Sequence, residues 1–314
     1  MGHAGHSHGH GGHDHAGPGH VPAPANFGAA FAIGIALNLG FVVTEAVYGL
    51  LANSIALVAD AGHNLGDVLG LGMAWGASMM ARRLPSRTHT YGWRKGTVVA
   101  ALGNAVLLLV TVGGIAVEGV HRLMSPGEVA GVTVMAVAGA GIVVNGATAW
   151  LFAAGRKGDI NLRAAFSHMV ADALVSLGVV VSGGVILLTG WNWLDPLVSV
   201  AIAGVILVGT WGLLRESVGM ALDAVPAGID AAAVRGFLAA HPGVRAIHDL
   251  HIWPISTTET ALTCHCVMPG GHPGDLALAA MAAELEGRFG IGHATIQVEV
   301  SEDGACRLAP DHVV

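Results

Sequence analysis

The sequence predicts an α-helical membrane protein, a bundle of six transmembrane helices followed by a small α+β domain. Of the 314 residues, 53% are hydrophobic and only 11% are charged, whereas about a quarter are charged in an average soluble protein. Long stretches with almost no charge indicate that lipid is the main solvent. Six apolar runs, each close to the roughly 20 residues that span a bilayer, lie at 27–51, 54–80, 97–120, 129–152, 160–189 and 193–214.

The loops between these runs differ in charge, and this difference predicts their orientation. Basic residues concentrate in the loops 81–96 and 153–163, whereas 52–53 and 190–192 carry no charge. Basic loops stay on the cytoplasmic side of a membrane. Both termini are therefore expected in the cytoplasm, and we expect the membrane to be a bacterial inner (cell) membrane. The first 26 residues lack the apolar core of a cleaved signal peptide.

The composition becomes that of a soluble domain from about residue 216. Hydrophobic periodicity predicts the order αββαβ, with helices at 228–240 and 274–289 and strands at 244–256, 260–268 and 293–300. The chain thus divides into a low-complexity His-rich segment that we expect to be disordered, a six-helix domain, a cytoplasmic α+β domain and a tail. Their expected limits are 1–26, 27–215, 216–304 and 305–314.

Charge and cysteine content exclude two further classes of protein. The net charge is −7 and only 14 residues are Lys or Arg, which argues against nucleic acid as a partner because phosphate binding needs clustered basic groups. The three cysteines, Cys264, Cys266 and Cys306, form an odd number near the end of the chain. A disulfide framework is not expected, and the thiols suit a reducing compartment.

Ionisable residues inside two apolar runs are the main indication of function. The second run contains His63 and Asp67, and the fifth contains His168 and Asp172. Residues four apart share one face of a helix, so the same His-x-x-x-Asp pair occurs twice. Because an ionisable side chain is costly in lipid, each pair predicts a functional site. The alternative is a pair of interhelical hydrogen bonds without a metal.

The depth of the two pairs supports one shared site. At 1.5 Å per residue, His63 lies roughly 13 Å and Asp67 roughly 20 Å below the outer edge, with His168 roughly 12 Å and Asp172 roughly 18 Å above the inner edge. In a core about 30 Å thick, His63 is then level with Asp172 and Asp67 with His168. Two imidazoles and two carboxylates suit tetrahedral zinc. Calcium and magnesium prefer oxygen ligands, while cadmium, cobalt, nickel and ferrous iron stay open as alternatives.

Four segments of the chain together resemble the cation diffusion facilitator family. They are NSIALVADAGHNLGD at 53–67, HTYGWRK at 89–95, HMVAD at 168–172 and HDLHIW at 248–253. The resemblance covers about 27–300. It implies a homodimer of six-helix bundles, each with a cytoplasmic ferredoxin-like (metallochaperone-like) domain, that exports zinc or similar ions from the cytosol in exchange for protons. By the family's pattern the transport site falls on His63, Asp67, His168 and Asp172, whereas members expected to move manganese tend to carry Asp in place of His.

Other polar residues of the bundle are ambiguous. Asp60 lies about two turns before Asp67 on roughly the same face and is either an outer-shell or proton-relay group or a packing residue. Glu45 and Asn38 in the first run have the same two interpretations, and hydrogen bonding between helices is favoured. His89 resembles a position that binds a second metal at the membrane boundary in some family members, but the loop offers no obvious second ligand beside it.

The soluble domain has its own candidate ligands. His248 and His265 fall on neighbouring predicted strands, and the resemblance implies metal binding at a dimer interface there, with zinc as a structural or regulatory ion. Alternation along the second strand puts Cys264 and Cys266 on the face opposite His265, where they fit as small core residues. Further candidate ligands are His251, Gln297 and Glu299, with Cys264 as a weaker one.

The first 20 residues contain a flexible run of histidines that can act as a weak, multivalent metal trap. Its alternatives are an unselected low-complexity tail or a purification tag. The histidines are His3, His6, His8, His10, His13, His15 and His20.

Two other functions compete with a secondary transporter. A membrane metallohydrolase would need a catalytic base, but the sequence has no HExxH-type motif. The second alternative is a membrane-anchored metal-sensing or metal-binding scaffold. It would not explain why the two His/Asp pairs lie at matched depths. Zinc flux into vesicles, read together with a pH-sensitive dye, separates the three because only a transporter moves metal against counter-moving protons.

Overall fold

A computed structural model of the chain describes residues 29–153, 160–301 and 306–308. The histidines predicted to capture metal, His3 to His20, lie outside the described residues. One helix forms in each of the six apolar runs. These helices are α1 (Ala29–Leu51), α2 (Ile55–Ala81), α3 (Gly96–Met124), α4 (Gly131–Ala153), α5 (Ile160–Thr189) and α6 (Leu194–Ala221).

The lengths and apolarity of these helices make the chain an integral membrane protein. Within the described residues, four segments are long and apolar enough to cross a bilayer, namely α3, α6, Gly131–Leu151 of α4 and Phe166–Thr189 of α5. The described part of α1 adds a shorter apolar helix, Ala36–Leu51. α2 is 27 residues long and contains the first pair of ionisable residues.

Two helices extend beyond the apolar runs that predicted them. The third run ends at 120 and the sixth at 214, whereas α3 ends at Met124 and α6 at Ala221. Hydropathy reports where a helix is in contact with lipid, but the backbone hydrogen bonds of a helix continue into water. In α3 the extension is stabilised by Arg122, whose Nε donates to Glu118 Oε1 across 2.8 Å, one turn away.

Small residues allow close contact between helices. α4 packs most extensively against α5, and α3 against α6. A Cβ at Gly131 would lie 3.0 Å from the carbonyl oxygen of Gly183, and one at Gly66 only 2.1 Å from Leu108 Cδ2. Because lipid supplies no hydrophobic force between helices, such close backbone packing is what holds the bundle together.

A buried carboxylate from α6 fixes the start of α2. Asp195 Oδ2 accepts from the backbone N–H of Ile55 at 2.7 Å, and its Oδ1 accepts from the hydroxyl of Ser54. Ser54 is in turn the N-cap of α2, accepting from Leu57 N–H. The first turn of a helix has unpaired N–H groups that favour a negative charge. Asp195 therefore holds the helix that carries His63 in register with α6.

Replacing Asp195 with alanine is expected to lower the stability of the bundle by about 2–4 kcal/mol. The change removes a charged acceptor and leaves buried donors without a partner, which costs more than the ordinary loss of a cap. Thermal unfolding of the protein in detergent, followed by circular dichroism, measures the effect. The matched control is Asp230→Ala, because Asp230 is exposed and caps the helix that it precedes, and its loss should cost about 1 kcal/mol. Equal shifts in the two variants would contradict the role of Asp195.

The C-terminal domain is the predicted small α+β unit. Its elements are α7 (Ala231–Ala239), β1 (Ala246–Pro254), β2 (Thr260–Val267), α8 (Asp275–Phe289) and β3 (His293–Glu299), in the order αββαβ. The strands form one sheet in the order β1-β2-β3, with β1 antiparallel and β3 parallel to β2. Both helices pack on one face of the sheet, where the hydrophobic core of the domain lies.

A bulge interrupts β1 within its polar stretch. The register of β1 against β2 shifts between His248 and His251, and Asp249 adopts the left-handed conformation with φ of 51°. This conformation is uncommon for a residue other than glycine and is usually stabilised by its surroundings. A bulge re-aims side chains relative to simple alternation. Asp249 is thereby brought towards His265 on the neighbouring strand.

Ion pairs connect the C-terminal domain to the bundle at the start of α3. Arg94 Nη1 lies 2.8 Å from Glu259 Oε2, and the ammonium of Lys95 pairs with Asp223. Lys95 Nζ also donates to the carbonyl of Pro254 at 3.4 Å. Both basic residues immediately precede Gly96, the first residue of α3. The basic loop after α2 therefore lies against the C-terminal domain.

Candidate metal centres

The two His/Asp pairs of the bundle converge between α2 and α5. His63 Nε2 lies 3.6 Å from Asp172 Oδ1, and His168 Nε2 lies 3.1 Å from Asp67 Oδ2. Within the pairs, His63 Nδ1 is 3.6 Å from Asp67 Oδ2 and His168 Nε2 is 3.5 Å from Asp172 Oδ2. The cross-helix neighbours are the residues that helix depth predicts to be level. We call these four residues the quartet.

The His63 ring bridges the two carboxylates of the quartet. It faces Asp67 with Nδ1 and Asp172 with Nε2, and Nδ1 has no hydrogen-bond partner among the described residues. The His63 and His168 rings meet edge to face, with their centroids 5.9 Å apart. An ion held by all four residues takes one nitrogen from each ring.

The quartet is closed at one end and open at the other. The side chain of Asp172 is 3% exposed, whereas those of Asp67 and His168 are 29% and 28% exposed. Asp60 and Ser176, one or two turns further along the closed side, are fully buried. The open side is the one that faces the end of α2 and the beginning of α5. The basic 81–96 loop and the C-terminal domain lie at that end.

A second polar layer lies beyond the closed end. Asn64 Nδ2 donates to Glu45 Oε2 at 3.3 Å, and Ser176 Oγ donates to Asp60 Oδ2 at 3.2 Å. Glu45 and Asp60 are 0% exposed, and each has one carboxyl oxygen without a hydrogen-bond partner in the described chain. The sequence interpretation included Asp60 and Glu45 but missed Asn64 and Ser176. The sequence could have indicated both residues, because Asn64 follows Asp60 by four positions and Ser176 follows Asp172 by four positions.

The remaining polar candidates of the bundle make other contacts. Asn38 Nδ2 donates to the sulfur of Met169 at 3.6 Å, which joins α1 to α5 beside the quartet. His89 stacks on Trp93 with ring centroids 4.4 Å apart, and its Nδ1 lies 3.0 Å from Thr88 Oγ1. His89 therefore packs within its own loop.

In the C-terminal domain, four possible ligands meet on the face of the sheet opposite the helices. His248 and His265 are paired across β1 and β2, and Glu299 Oε1 lies 2.9 Å from His265 Nδ1. Cys306 Sγ lies 3.5 Å from the same nitrogen. One ligand atom from each of these residues lies within 4.8 Å of the others. We call them the sheet cluster.

Other candidates of this domain lie around the sheet cluster. Gln297 Nε2 donates to Glu299 Oε1 at 3.2 Å, and His251 Nε2 lies 2.8 Å from Asp249 Oδ1. Burial acts to raise the pKa of the Glu299 carboxyl, but the hydrogen bond from Cys306 and the two imidazoles outweigh it, and the pKa lies below its ordinary value. Glu299 is therefore an ionised acceptor at neutral pH.

Cys264 and Cys266 face the hydrophobic core on the other side of β2, as alternation predicts. A mutual hydrogen bond with Cys266, followed by burial, raises the pKa of the Cys264 thiol. Cys264 stays protonated, and it points away from His265. It is a core residue, so its weaker candidacy as a ligand finds no support in its position.

Comparison with known proteins identifies the family. Residues 31–220 match the model of the cation efflux transmembrane domain, and residues 226–301 match that of the cytoplasmic domain of cation efflux proteins. The chain belongs to the cation diffusion facilitator family. Members of this family are transporters and not enzymes, which excludes the metallohydrolase interpretation.

Curated relatives match this facilitator over most of its length. The zinc transporter ZitB of Escherichia coli (strain K12) is 35% identical over 86% of each chain. The metal cation efflux system protein CzcD of Cupriavidus metallidurans is 33% identical over 88% of each chain. The cadmium, cobalt and zinc/H(+)-K(+) antiporter of Bacillus subtilis (strain 168) is 32% identical over 85% of this chain and 87% of its own.

The sequence interpretation missed one member of the sheet cluster, Cys306, and one of its neighbours, Asp249. Asp249 stands inside the HDLHIW segment, where alternation assigns it to the face opposite His248, and the bulge overrides that assignment. Cys306 lies beyond the last predicted strand, and its position depends on how the chain returns to the sheet. Only Asp249 had a local signal, as an acidic residue between two histidines.

Proposed function

We propose that this facilitator exports zinc from the cytosol in exchange for protons, with the ion held by His63, Asp67, His168 and Asp172. The observation that carries the proposal is the convergence of two His/Asp pairs from α2 and α5 within the helix bundle. Two nitrogen and two carboxylate donors suit tetrahedral zinc. Cadmium, cobalt, iron and nickel accept the same donors. The names of the relatives, which include zinc transport and cadmium, cobalt and zinc antiport, favour zinc among these ions.

Exchange with protons follows from the chemistry of the ligands. Zinc binds neutral imidazole and ionised carboxylate, so protons compete with it for the same atoms. Protons that enter from the outer side displace the ion, and their loss to the cytosol restores the site. Asp60 and Glu45 lie between the quartet and the outer end of α2, and we assign them to the path of these protons. Asn64 and Ser176, which hydrogen-bond to them, hold the two carboxyls in place.

The orientation and assembly follow the same model. We propose that both termini and the C-terminal domain are cytoplasmic, in a bacterial inner membrane, and that two chains form a homodimer through the C-terminal domains. The open side of the quartet then faces the cytosol, from which zinc is loaded. The histidines before residue 21 are proposed to concentrate zinc near this opening. A second metal at His89 is less well supported, because the ring is engaged by Trp93 and Thr88.

We expect zinc transport to depend in opposite ways on the pH of the two sides. In vesicles with the C-terminal domain outside, acidifying the lumen should accelerate zinc uptake, because protons from the lumen displace the ion. Acidifying the outside from about pH 7.5 to 5.5 should slow it, since an unperturbed imidazole titrates near pH 6.5 and a protonated ring cannot bind zinc. Fluorescent zinc and pH indicators inside the vesicles measure both quantities.

The control is a proton ionophore, which should abolish the acceleration by an acidic lumen. Zinc that binds to the protein without entering the lumen would instead identify a metal-binding scaffold. Zinc uptake without alkalinisation of the lumen would contradict proton exchange while preserving transport.

A further inference from the structure

The sheet cluster contains a sulfur ligand that lies outside the family pattern. The matched cytoplasmic domain ends at residue 301, and Cys306 follows it. Its Sγ nevertheless lies 3.5 Å from His265 Nδ1, and it belongs to the group whose ligand atoms are within 4.8 Å of one another. The three other members are supplied by β1, β2 and β3. Cys306 therefore lies at the same face of the sheet as these three residues.

We propose that the Cys306 thiolate completes a tetrahedral zinc site with His248, His265 and Glu299, so that zinc binding fastens the C-terminal segment to the sheet. The proposal rests on the metal binding that the family resemblance implies for this domain, and the sulfur ligand goes beyond both that resemblance and the proposed function. The S–H proton is released to water as the sulfur–zinc bond forms. Zinc is thus the ion that the bundle transports and also a structural ion of the C-terminal domain.

A buried donor without a partner points to a ligand in this cluster. His248 is buried, with 9% of the whole residue exposed, and its Nε2 has no hydrogen-bond partner among the described residues. The nitrogen lies 3.3 Å from Glu299 Oε2 but without hydrogen-bond geometry. Leaving a buried polar atom unsatisfied is costly. A metal ion between the imidazole and the carboxylate removes this cost.

The second histidine is oriented as a metal ligand. His265 Nε2 faces Asp249 Oδ2 at 3.4 Å, while its Nδ1 faces Glu299 and Cys306. A ligating histidine commonly donates its other N–H to a carboxylate, which fixes the tautomer and leaves the ligating nitrogen unprotonated. The bulge at Asp249 brings this carboxylate to the ring. Asp249 is therefore a positioning residue, and His265 Nδ1 is the ligating atom.

The donor set selects the metal. Two imidazole nitrogens, one carboxylate oxygen and one thiolate fit zinc in tetrahedral geometry. A soft thiolate disfavours magnesium and calcium, which bind through oxygen. The set also accepts cobalt and cadmium. Cobalt is useful because, unlike zinc, it absorbs light when a thiolate binds it.

Cobalt titration of the full-length protein in detergent tests the proposal. The quartet contains no sulfur, so a near-ultraviolet thiolate-to-cobalt charge-transfer band reports only a cysteine ligand. We expect the wild type to show the band at saturation and Cys306→Ser to lose it. Asp249→Asn should keep the band but need about 10–100-fold more cobalt, the usual loss when a ligand's supporting carboxylate is removed.

Two comparisons keep the outcome decisive. Cys264→Ala should retain the band, because that thiol faces the core. A band that persists in Cys306→Ser, or cobalt binding by the wild type without a band, would overturn the proposal. His168→Ala removes one ligand of the quartet and should leave the band intact. Failure of zinc transport in the wild type with the band present would instead count against the transport function alone.

Discussion

Replacing Asp67 with alanine is expected to reduce zinc flux by at least about 100-fold, the upper range seen when even a supporting group of a metal site is removed. Asp67 is the residue through which α2 contacts His168 at 3.1 Å, and it lies on the open side of the quartet. Without its carboxylate the site keeps three protein ligands and loses one of the two negative charges that balance the divalent ion. Zinc uptake into vesicles with an acidic lumen measures the loss, and His168→Ala should behave in the same way.

The matched control for Asp67→Ala is Glu118→Ala. Glu118 is also an acidic residue of a membrane helix, but it is exposed and pairs with Arg122. This variant should transport zinc at close to the wild-type rate. Elution of each variant as a single species in size-exclusion chromatography establishes that the protein is folded. Wild-type flux through a folded Asp67→Ala protein would refute the quartet as the transport site.

Replacing His63 with aspartate is expected to change which metal is transported. The substitution exchanges an imidazole for a third carboxylate, and carboxylate ligands suit manganese whereas imidazole suits zinc. We expect the ratio of zinc to manganese affinity to fall by about tenfold or more, equal to about 1.4 kcal/mol. His63 is the suitable position because its ring already lies between both carboxylates.

Competition between the two ions for uptake into vesicles measures this ratio. His121→Asp is the control, since His121 is exposed near the end of α3 and introduces the same charge change away from the quartet. A shift of similar size in both variants would mean that net charge, and not the ligand set, determines selectivity. Loss of all transport in His63→Asp with manganese binding retained would place the effect in the transport step.

The sequence alone predicts the helices of the bundle and the depth of the quartet residues, because both depend on the geometry of single helices. A helix has a fixed rise and a fixed repeat, so the spacing of His63 from Asp67 and their distance from the helix start determine both face and depth. The loop charges then supply the antiparallel direction. No knowledge of side-chain packing is needed to predict that His63 is level with Asp172, and the 3.6 Å contact adds that the two helices turn these faces towards each other.

Other features depend on contacts between distant segments and had no such signal. The sequence places Asp195 in the first turn of α6, where its charge suits the dipole of that helix. In the structure its carboxylate caps α2 instead. Asp249 is misassigned by strand alternation because a bulge changes the register. Cys306 lies beyond the last strand, and neither periodicity nor spacing predicts its contact with His265.

The contacts of Lys95 and Arg94 with the C-terminal domain determine which helices it can influence. Both residues directly precede α3, and α3 packs along α6, whose end leads into that domain. Asp195 of α6 also caps α2, and α2 packs along α3, so the His/Asp pair on α2 is tied to the same group of helices. The other pair lies on α5, which packs chiefly against α4. A displacement of α4 and α5 relative to the other helices would therefore change the distances between the two pairs while the contacts of Arg94 and Lys95 stay in place.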